Sequence, residues 1–228
     1  MNAQEYCESV EQHYRKHQLS LPNIEIKENN DNLISLKQSG FNLVFEPSIM
    51  ADYKYMIREE VYYKIKRISE ILFLQDKKLI IRSVWRSFNH QKKLWESKVS
   101  FLQKIHPYKS LSEVEELVSY FIAPPTKSMH STGGAVDALI YDIKEKCIMD
   151  FGTNDGLKIS LNDKCYPYHP FISDLAKNNR KLLIELFEEE DFVVDIKEYW
   201  HFDYGNASWA SKKGKSQAFY GIVGNKEE

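Results

Sequence analysis

The stretch Ser128-Met-His130-Ser-Thr-Gly-Gly-Ala-Val-Asp137 leads from a polar, glycine-containing loop into an apolar segment. Residues 135–141 are apolar and partly β-branched, which predicts a strand after the break at Gly133-Gly134. Strand alternation places the Asp137 side chain on the same face as Leu139, toward a core or the floor of a cavity. A buried carboxylate is costly unless it is paired or binds a metal ion, so Asp137 is a candidate ligand.

A second stretch, Glu198-Tyr-Trp-His201, offers an imidazole and a carboxylate three residues before it. On a regular strand these two side chains would face opposite ways, so they converge only if a turn, bulge or strand start lies between them. With His130 and Asp137, His201 completes a set of two histidines and one aspartate. Such a set can hold a tetrahedral zinc ion with the fourth position open to water, leaving Glu198 free as a base. Taken alone, each stretch is better explained by ordinary structural residues, and only the two together favour a metal site.

Arg86 is a third candidate, since it lies between Trp85 and Ser87 at the end of a strand predicted over residues 78–84. From that position a guanidinium could stabilise a developing oxyanion in a dry pocket. The alternative is an ion pair with a surface carboxylate.

Helices and strands are mixed along the rest of the chain. Apolar periodicity predicts helices over residues 1–20, 53–74, 89–105, 112–121 and 174–190. Strands are predicted over residues 78–84, 135–141, 192–196 and 199–204, with a hairpin partner in 143–150 and a long loop over 151–170. Because hairpin-like strands follow one another late in the chain, we expect an α+β fold with a central, mostly antiparallel sheet flanked by helices.

Composition limits the classes of function. The chain has 228 residues and a formal net charge of -2, which gives no electrostatic reason to expect nucleic acid or an acidic membrane as a partner. Its three cysteines are too few for a disulfide framework. The charged N-terminal stretch lacks the apolar core of a secretory signal, so we expect a cytoplasmic protein.

The two motifs together resemble the D-alanyl-D-alanine dipeptidases of the vancomycin-resistance type, which are zinc D,D-peptidases that share a fold with the hedgehog signalling domain. Ser128-x-His-x-x-Gly-x-Ala-x-Asp137 and Glu198-x-Trp-His201 fill every fixed position of the family pattern. Trp85-Arg86-Ser87 matches its arginine setting with Trp in place of Tyr, and Asp150-Phe-Gly-Thr153 is similar to its Asp-Met-Gly-Thr. The resemblance implies a hedgehog/D,D-peptidase-like catalytic domain over residues 46–228, with residues 1–45 as an extension packed on it.

The resemblance also implies roles for individual residues. It makes His130, Asp137 and His201 the ligands of one zinc ion per chain, with Asp203 supporting a ligand. Glu198 becomes the general base, and Arg86 shares the oxyanion charge. For substrate binding it implies Ser128 at the terminal carboxylate or backbone and Asp150 at the ammonium group.

The implied activity is hydrolysis of the D-Ala-D-Ala dipeptide to two D-alanines. One alternative is a D,D-carboxypeptidase acting on peptidoglycan stem peptides, which uses the same catalytic centre. An alternative of another class is a non-catalytic zinc-containing binding module, against which Glu198 and Arg86 both argue. The loop after Thr153 departs from the family and reads Asn154-Asp155-Gly156-Leu157, so the choice between dipeptide and stem peptide stays open, as does the oligomeric state.

Overall fold

The fold was examined in a computed structural model, which describes residues 2–120, 122–153 and 163–224. The divergent loop at 154–157 lies outside these residues. The described parts form six α-helices: α1 (Ala3–Ser20), α2 (Glu59–Phe73), α3 (Phe88–Ile105), α4 (Leu111–Ser119), α5 (Asp174–Glu189) and α6 (Ala207–Lys212). None of these helices is both long and apolar enough to span a membrane.

The same parts of the chain form ten short strands. In chain order they are β1 (Glu25–Ile26), β2 (Leu33–Ser35), β3 (Leu43–Phe45), β4 (Met56–Arg58), β5 (Lys77–Ser83), β6 (Ala135–Asp142), β7 (Cys147–Ile148), β8 (Val193–Val194), β9 (His201–Asp203) and β10 (Gln217–Ala218).

A six-stranded sheet forms the centre of the molecule, in the order β3-β5-β6-β9-β8 with β7 paired to β6. β3 and β5 run parallel, while the other pairs in this sheet are antiparallel. The α+β fold with a mostly antiparallel sheet flanked by helices is therefore confirmed. The hairpin predicted after β6 is present as the β6–β7 pair.

Two helices cover the sheet with apolar side chains. Ile65 and Ile68 of α2 are fully buried in the same core cluster as Leu79 and Ile81 of β5. On α5, Phe187 stacks on Phe202 of β9, with ring centroids 3.9 Å apart. Each such side chain contributes about 1.5–3 kcal/mol when it leaves water, so this packing holds β5 and β9 against the two helices.

The helix predicted from residue 53 begins later, at Glu59. Residues Met56–Arg58 instead form β4, which pairs antiparallel with β2. Tyr55 has a φ of 50°, a left-handed conformation that a helix cannot include. Tyr53, Tyr55 and Ile57 are all buried, so the apolar residues of this segment follow the alternating pattern of a strand and not the helical one.

Residues before 46 contact the rest of the molecule at several places. β3 is an edge strand of the central sheet, and β1 pairs in parallel with β10 near the other end of the chain. In α1, the imidazole of His17 lies 3.2 Å from the hydroxyls of both Ser208 and Ser211 on α6. The N-terminal segment is thus joined to the C-terminal one.

Candidate metal centre and catalytic cleft

Asp137 stands at the middle of the central sheet, where three strands meet. In the antiparallel register it lies opposite His201 of β9 on one side and Ser83 of β5 on the other. His130 comes from a 3₁₀ turn, Met129–Thr132, that leads into β6. One ligand atom from each of His130, Asp137 and His201 lies within 4.8 Å of the others. The structure therefore brings the predicted metal ligands together.

The turn that presents His130 depends on Gly133. Its φ is 75°, a left-handed conformation that side chains rarely adopt. A Cβ at this position would come within 2.6 Å of the Leu33 side chain. Glycine is thus required both by the backbone conformation and by the close approach of β2.

Each histidine has a partner on the nitrogen that faces away from the other ligands. Nδ1–H of His130 donates to the Val84 carbonyl at 2.9 Å, and Nε2 of His130 faces Oδ2 of Asp137 at 3.2 Å. His201 places Nδ1 at 2.8 Å from Oδ1 of Asp137 and Nε2 at 3.2 Å from Oδ1 of Asp203. Outer partners of this kind orient metal-binding imidazoles. Two imidazoles and a carboxylate fit zinc, since all three side chains are buried and each imidazole has an outer partner.

Two of the three groups are already in the protonation state that a metal ion needs, and the third is not. Burial alone would raise the pKa of Asp137, but His130 and His201 hold it well below its usual range. Burial, together with the nearby Arg86, lowers the pKa of His130 to about 4, which keeps its imidazole neutral. Burial also acts to lower the pKa of His201, but the carboxylates of Asp203 and Asp137 raise it well above the ordinary value. Asp137 and His130 are therefore in the state that metal binding requires, whereas His201 must lose a proton when the metal ion binds.

Glu198 enters the same cleft from a tight turn. Oδ1 of Asp195 accepts the backbone N–H groups of Lys197 (2.7 Å) and Glu198 (3.1 Å). The N–H of His201 then donates to the Glu198 carbonyl at 3.1 Å, and β9 starts at His201. This strand start is what allows Glu198 and His201 to converge. Burial raises the pKa of Glu198 to about 7, with His201 acting in the opposite direction.

The guanidinium of Arg86 is held by three neighbours. Nε donates to Oγ of Ser83 at 2.8 Å, and Nη2 donates to Oδ2 of Asp137 at 3.1 Å. Nη1 donates to Oε1 of Gln91 at 3.2 Å, while Nε2 of Gln91 donates to the Ala123 carbonyl at 2.8 Å. Arg86 is therefore paired with a candidate ligand rather than with a surface carboxylate.

Gln91 is fully buried, and sequence reasoning missed it. Its only sequence signal is a polar residue on the helix that follows Arg86. Because one amide group contacts both Arg86 and the segment around Ala123, Gln91 fixes the arginine relative to the rim of the cleft.

One cleft of about 590 Å³ contains most of the predicted site residues. Its lining includes Arg86, Ser128, His130, Asp137, Glu198 and His201. Ser128 is 3% exposed and begins the turn that carries His130. α1 and α4 also line the cleft, through residues such as Glu11 and Glu116. The contribution of α1 was not predicted.

Asp150 lies elsewhere. It is exposed, and its Oδ1 accepts the N–H of Gly152 at 2.7 Å, closing a local turn. It is not among the described residues that line the cleft. This placement does not support the predicted contact with a substrate ammonium group.

Comparisons with known proteins agree on one family. The M15 peptidase family model, described as D-ala-D-ala dipeptidase, matches residues 46–218. A D-alanyl-D-alanine dipeptidase of Escherichia coli (strain K12) is 29% identical over 89 residues, which cover 39% of this chain and 44% of that protein. The match thus spans less than half of that relative's length.

Solved structures with a similar fold are more distant in sequence. VanYB in complex with D-Alanine-D-Alanine is 15% identical, with a TM-score of 0.48 over 85% of this chain and 93% of that one. A variant of the vancomycin resistance D,D-pentapeptidase VanY in complex with Zn(II) is 15% identical, with a TM-score of 0.46 over 86% of this chain and 96% of that one.

Proposed function

Because the chain belongs to the M15 peptidase family described as D-ala-D-ala dipeptidase, we propose that it hydrolyses the D-Ala-D-Ala dipeptide to two D-alanines. Membership makes the chain a zinc metallopeptidase that acts on peptides of peptidoglycan metabolism. The match to the E. coli dipeptidase, though partial, supports the free dipeptide as the substrate within that class.

The observation that carries the proposal is one cleft with a metal-binding set and an unligated carboxylate. His130, Asp137 and His201 would hold the zinc ion, and Glu198 lines the same cleft. When bound, zinc acidifies water and polarises the scissile carbonyl as a Lewis acid. A non-catalytic zinc module has no need for a carboxyl group with a raised pKa beside its metal site.

Glu198 acts as the proton carrier in this scheme. Its carboxylate takes a proton from the attacking water and then delivers that proton to the nitrogen of the leaving amine. Burial raises the pKa of this carboxyl group toward neutral pH, where one group can both accept and deliver a proton. Asp195 holds the turn so that the carboxylate stays in the cleft.

Arg86 and Ser128 complete the site. The Arg86 guanidinium is fixed in advance by Ser83 and Gln91, so little reorganisation is needed when negative charge develops on the carbonyl oxygen. Ser128 lies two residues before His130 and lines the same cleft. We assign it to the terminal carboxylate or the peptide backbone of the substrate.

The second candidate is D,D-carboxypeptidase activity on stem peptides. The observation in its favour is the cleft volume of about 590 Å³, which lies in the range that holds ligands larger than two alanine residues. The catalytic residues would be the same, and only the substrate length would differ.

One experiment tests both candidates. The zinc-loaded protein is incubated with D-Ala-D-Ala, L-Ala-L-Ala and a pentapeptide stem ending in D-Ala-D-Ala, and released alanine is measured. We expect D-alanine mainly from the free dipeptide, and none after chelation of zinc. Faster release from the pentapeptide would favour the carboxypeptidase, and no release from any D,D-peptide would contradict both.

A further inference from the structure

The catalytic cleft is supported from behind at the end of β5. The register of β5 against β6 shifts between Ile81 and Ser83, which marks a β-bulge. Bulges re-aim side chains and often lie next to active sites. Val84 comes directly after the last residue of β5 and is fully buried. Its backbone N–H and C=O groups therefore need partners from other parts of the molecule.

Tyr53 and His130 supply those two partners. The N–H of Val84 donates to the phenol oxygen of Tyr53 at 2.7 Å, and the Val84 carbonyl accepts Nδ1–H of His130 at 2.9 Å. Tyr53 is thus linked to a candidate metal ligand through one residue. It is not among the described residues that line the cleft, so it acts only through its neighbours.

The same phenol also reaches the support of Arg86. Its oxygen lies 3.4 Å from Oγ of Ser83, which accepts Nε–H of Arg86 at 2.8 Å. In addition, the N–H group that Tyr53 binds belongs to the peptide bond between Ser83 and Val84. One hydrogen bond therefore restrains the backbone between the support of Arg86 and the support of His130.

The Tyr53 ring is itself fixed in place. It is buried, and its centroid lies 4.4 Å from that of Tyr55 and 4.9 Å from that of the His90 ring. Burial raises the pKa of the Tyr53 phenol to about 12, so the hydroxyl stays protonated at neutral pH. A side chain that is locked by packing can define the position of the groups that it binds.

We propose that Tyr53 is a positioning residue whose single hydroxyl sets the orientation of both the His130 imidazole and the Arg86 guanidinium. The role at Arg86 rests on the proposed function, whereas the role at His130 concerns metal binding alone. Because the two connections separate at Ser83 and Val84, loss of the hydroxyl should weaken zinc binding and slow the reaction together. Loss of the Ser83 hydroxyl should only slow the reaction.

Tyr53→Phe removes the hydroxyl and keeps the ring. Zinc affinity is measured by competition with a chelator, and kcat and KM are measured with D-Ala-D-Ala at saturating zinc. We expect zinc affinity to fall about tenfold, the lower end of the range for outer partners of zinc ligands, because Tyr53 acts through one further residue. We also expect kcat to fall about tenfold with KM unchanged, since the misplaced group acts in the transition state.

Ser83→Ala separates the two connections. It removes the acceptor of Arg86 but leaves the hydrogen bond between Val84 and Tyr53. We expect kcat to fall about tenfold, as in Tyr53→Phe, while zinc affinity stays at the wild-type level. An unchanged kcat in Ser83→Ala, or an equal loss of zinc affinity, would overturn the proposal even if Tyr53→Phe does not fold.

Tyr55→Phe is the matched control. Tyr55 is also a buried tyrosine, and its ring contacts that of Tyr53, but its hydroxyl donates to the Glu46 carbonyl. Urea unfolding of the zinc-free proteins measures the stability that each variant loses. We expect both variants to lose stability, but only Tyr53→Phe to lose zinc affinity and kcat. If Tyr55→Phe loses as much of either, general loosening of this part of the core explains the effect and the proposal is wrong.

Failure of this proposal and failure of the proposed function give different results. If the wild type binds zinc but releases no D-alanine, the proposed function is wrong, while the zinc affinities still test Tyr53. If the wild type is active and Tyr53→Phe keeps both its zinc affinity and its kcat, the proposed function stands and Tyr53 has no positioning role.

Discussion

Asp137 and His201 are direct cross-strand partners on β6 and β9, and Oδ1 of Asp137 lies 2.8 Å from Nδ1 of His201. The antiparallel register therefore sets the spacing of two candidate ligands, and no flexible loop is involved. A site built on paired strands is held more rigidly than one built on loops, so we expect its affinity for zinc to depend strongly on each ligand.

Replacing Asp137 by Asn should remove zinc from the protein. The substitution keeps the shape of the side chain but loses the anionic charge. Loss of an outer partner of a zinc ligand already lowers zinc affinity about 10- to 100-fold, so we expect loss of this ligand to lower it by at least that much. Metal content after dialysis, measured by mass spectrometry, checks this. Asp142→Asn is the control, since it lies on the same strand but pairs with Lys77. Equal zinc content in Asp137→Asn and the wild type would refute the assignment.

Replacing Glu198 by Gln should lower kcat roughly 100- to 10,000-fold, the range for loss of a general base, while zinc content stays at the wild-type level. A drop in zinc content would instead make Glu198 a ligand.

The pH dependence of kcat/KM in the wild type should also show the titration of Glu198. Because the base works when deprotonated, kcat/KM should fall as the pH decreases below the Glu198 pKa of about 7. Bound zinc shifts that limb to lower pH, since a nearby cation favours the carboxylate.

Replacing Gln91 by Leu should release Arg86 from its support. The guanidinium would lose the hydrogen bond from Nη1, and the Ala123 carbonyl would lose a donor. We expect kcat/KM to fall about tenfold with little change in zinc content, because misplacing a group that stabilises the transition state mainly affects the rate. Gln103→Leu, on the same helix but bonded at the Lys109 carbonyl, is the control. A loss of zinc equal to the loss of activity would show that Gln91 supports the metal site instead.

His17 should make stability depend on pH. Burial is the main cause that lowers the pKa of His17, and Lys212 lowers it further. The unfolded chain then takes up a proton at the ordinary pKa of about 6.5 before the folded chain does, so stability falls as the pH decreases through 6.5. Above that pH the His17 imidazole is neutral in both the folded and the unfolded state, so His17 does not contribute to the pH dependence of the free energy of unfolding.

Urea unfolding between pH 8 and pH 5 measures this effect. In His17→Gln the slope below pH 6.5 should decrease, by at most about 1.4 kcal/mol per pH unit. Identical slopes in His17→Gln and the wild type would show that His17 titrates alike in both states.

The central strands and the family were predictable from sequence because their signals are local. The apolar, β-branched segment around Asp137 indicates the strand β6. Strand alternation then indicates that the Asp137 carboxylate points toward the interior. The spacing of Glu198 and His201 also predicted that they converge only if a turn, bulge or strand start lies between them, and β9 does start at His201. In contrast, residues 53–58 satisfy both helical and alternating patterns, and only pairing with β2 decides for a strand.

Two parts of the site depend on contacts between distant segments. The ion pair between Glu11 and Lys197 joins residues 186 positions apart (197 − 11), and neither residue carries a motif. Gln91 has a role only because Arg86 and Ala123 lie on either side of its amide. Such relationships follow from the tertiary packing of the helices, which a single sequence does not specify.

The docking of α1 on α6 also has a consequence for biosynthesis. α1 docks on α6 through His17 and Ser208, and β1 pairs with β10, so α1 and β1 are made well before their partners. At roughly 5–20 residues per second, α1 remains undocked for about 10–40 s while the intervening chain is made. The cleft therefore acquires its α1 wall only after α6 has been made, and a nascent chain without α6 has no finished active site.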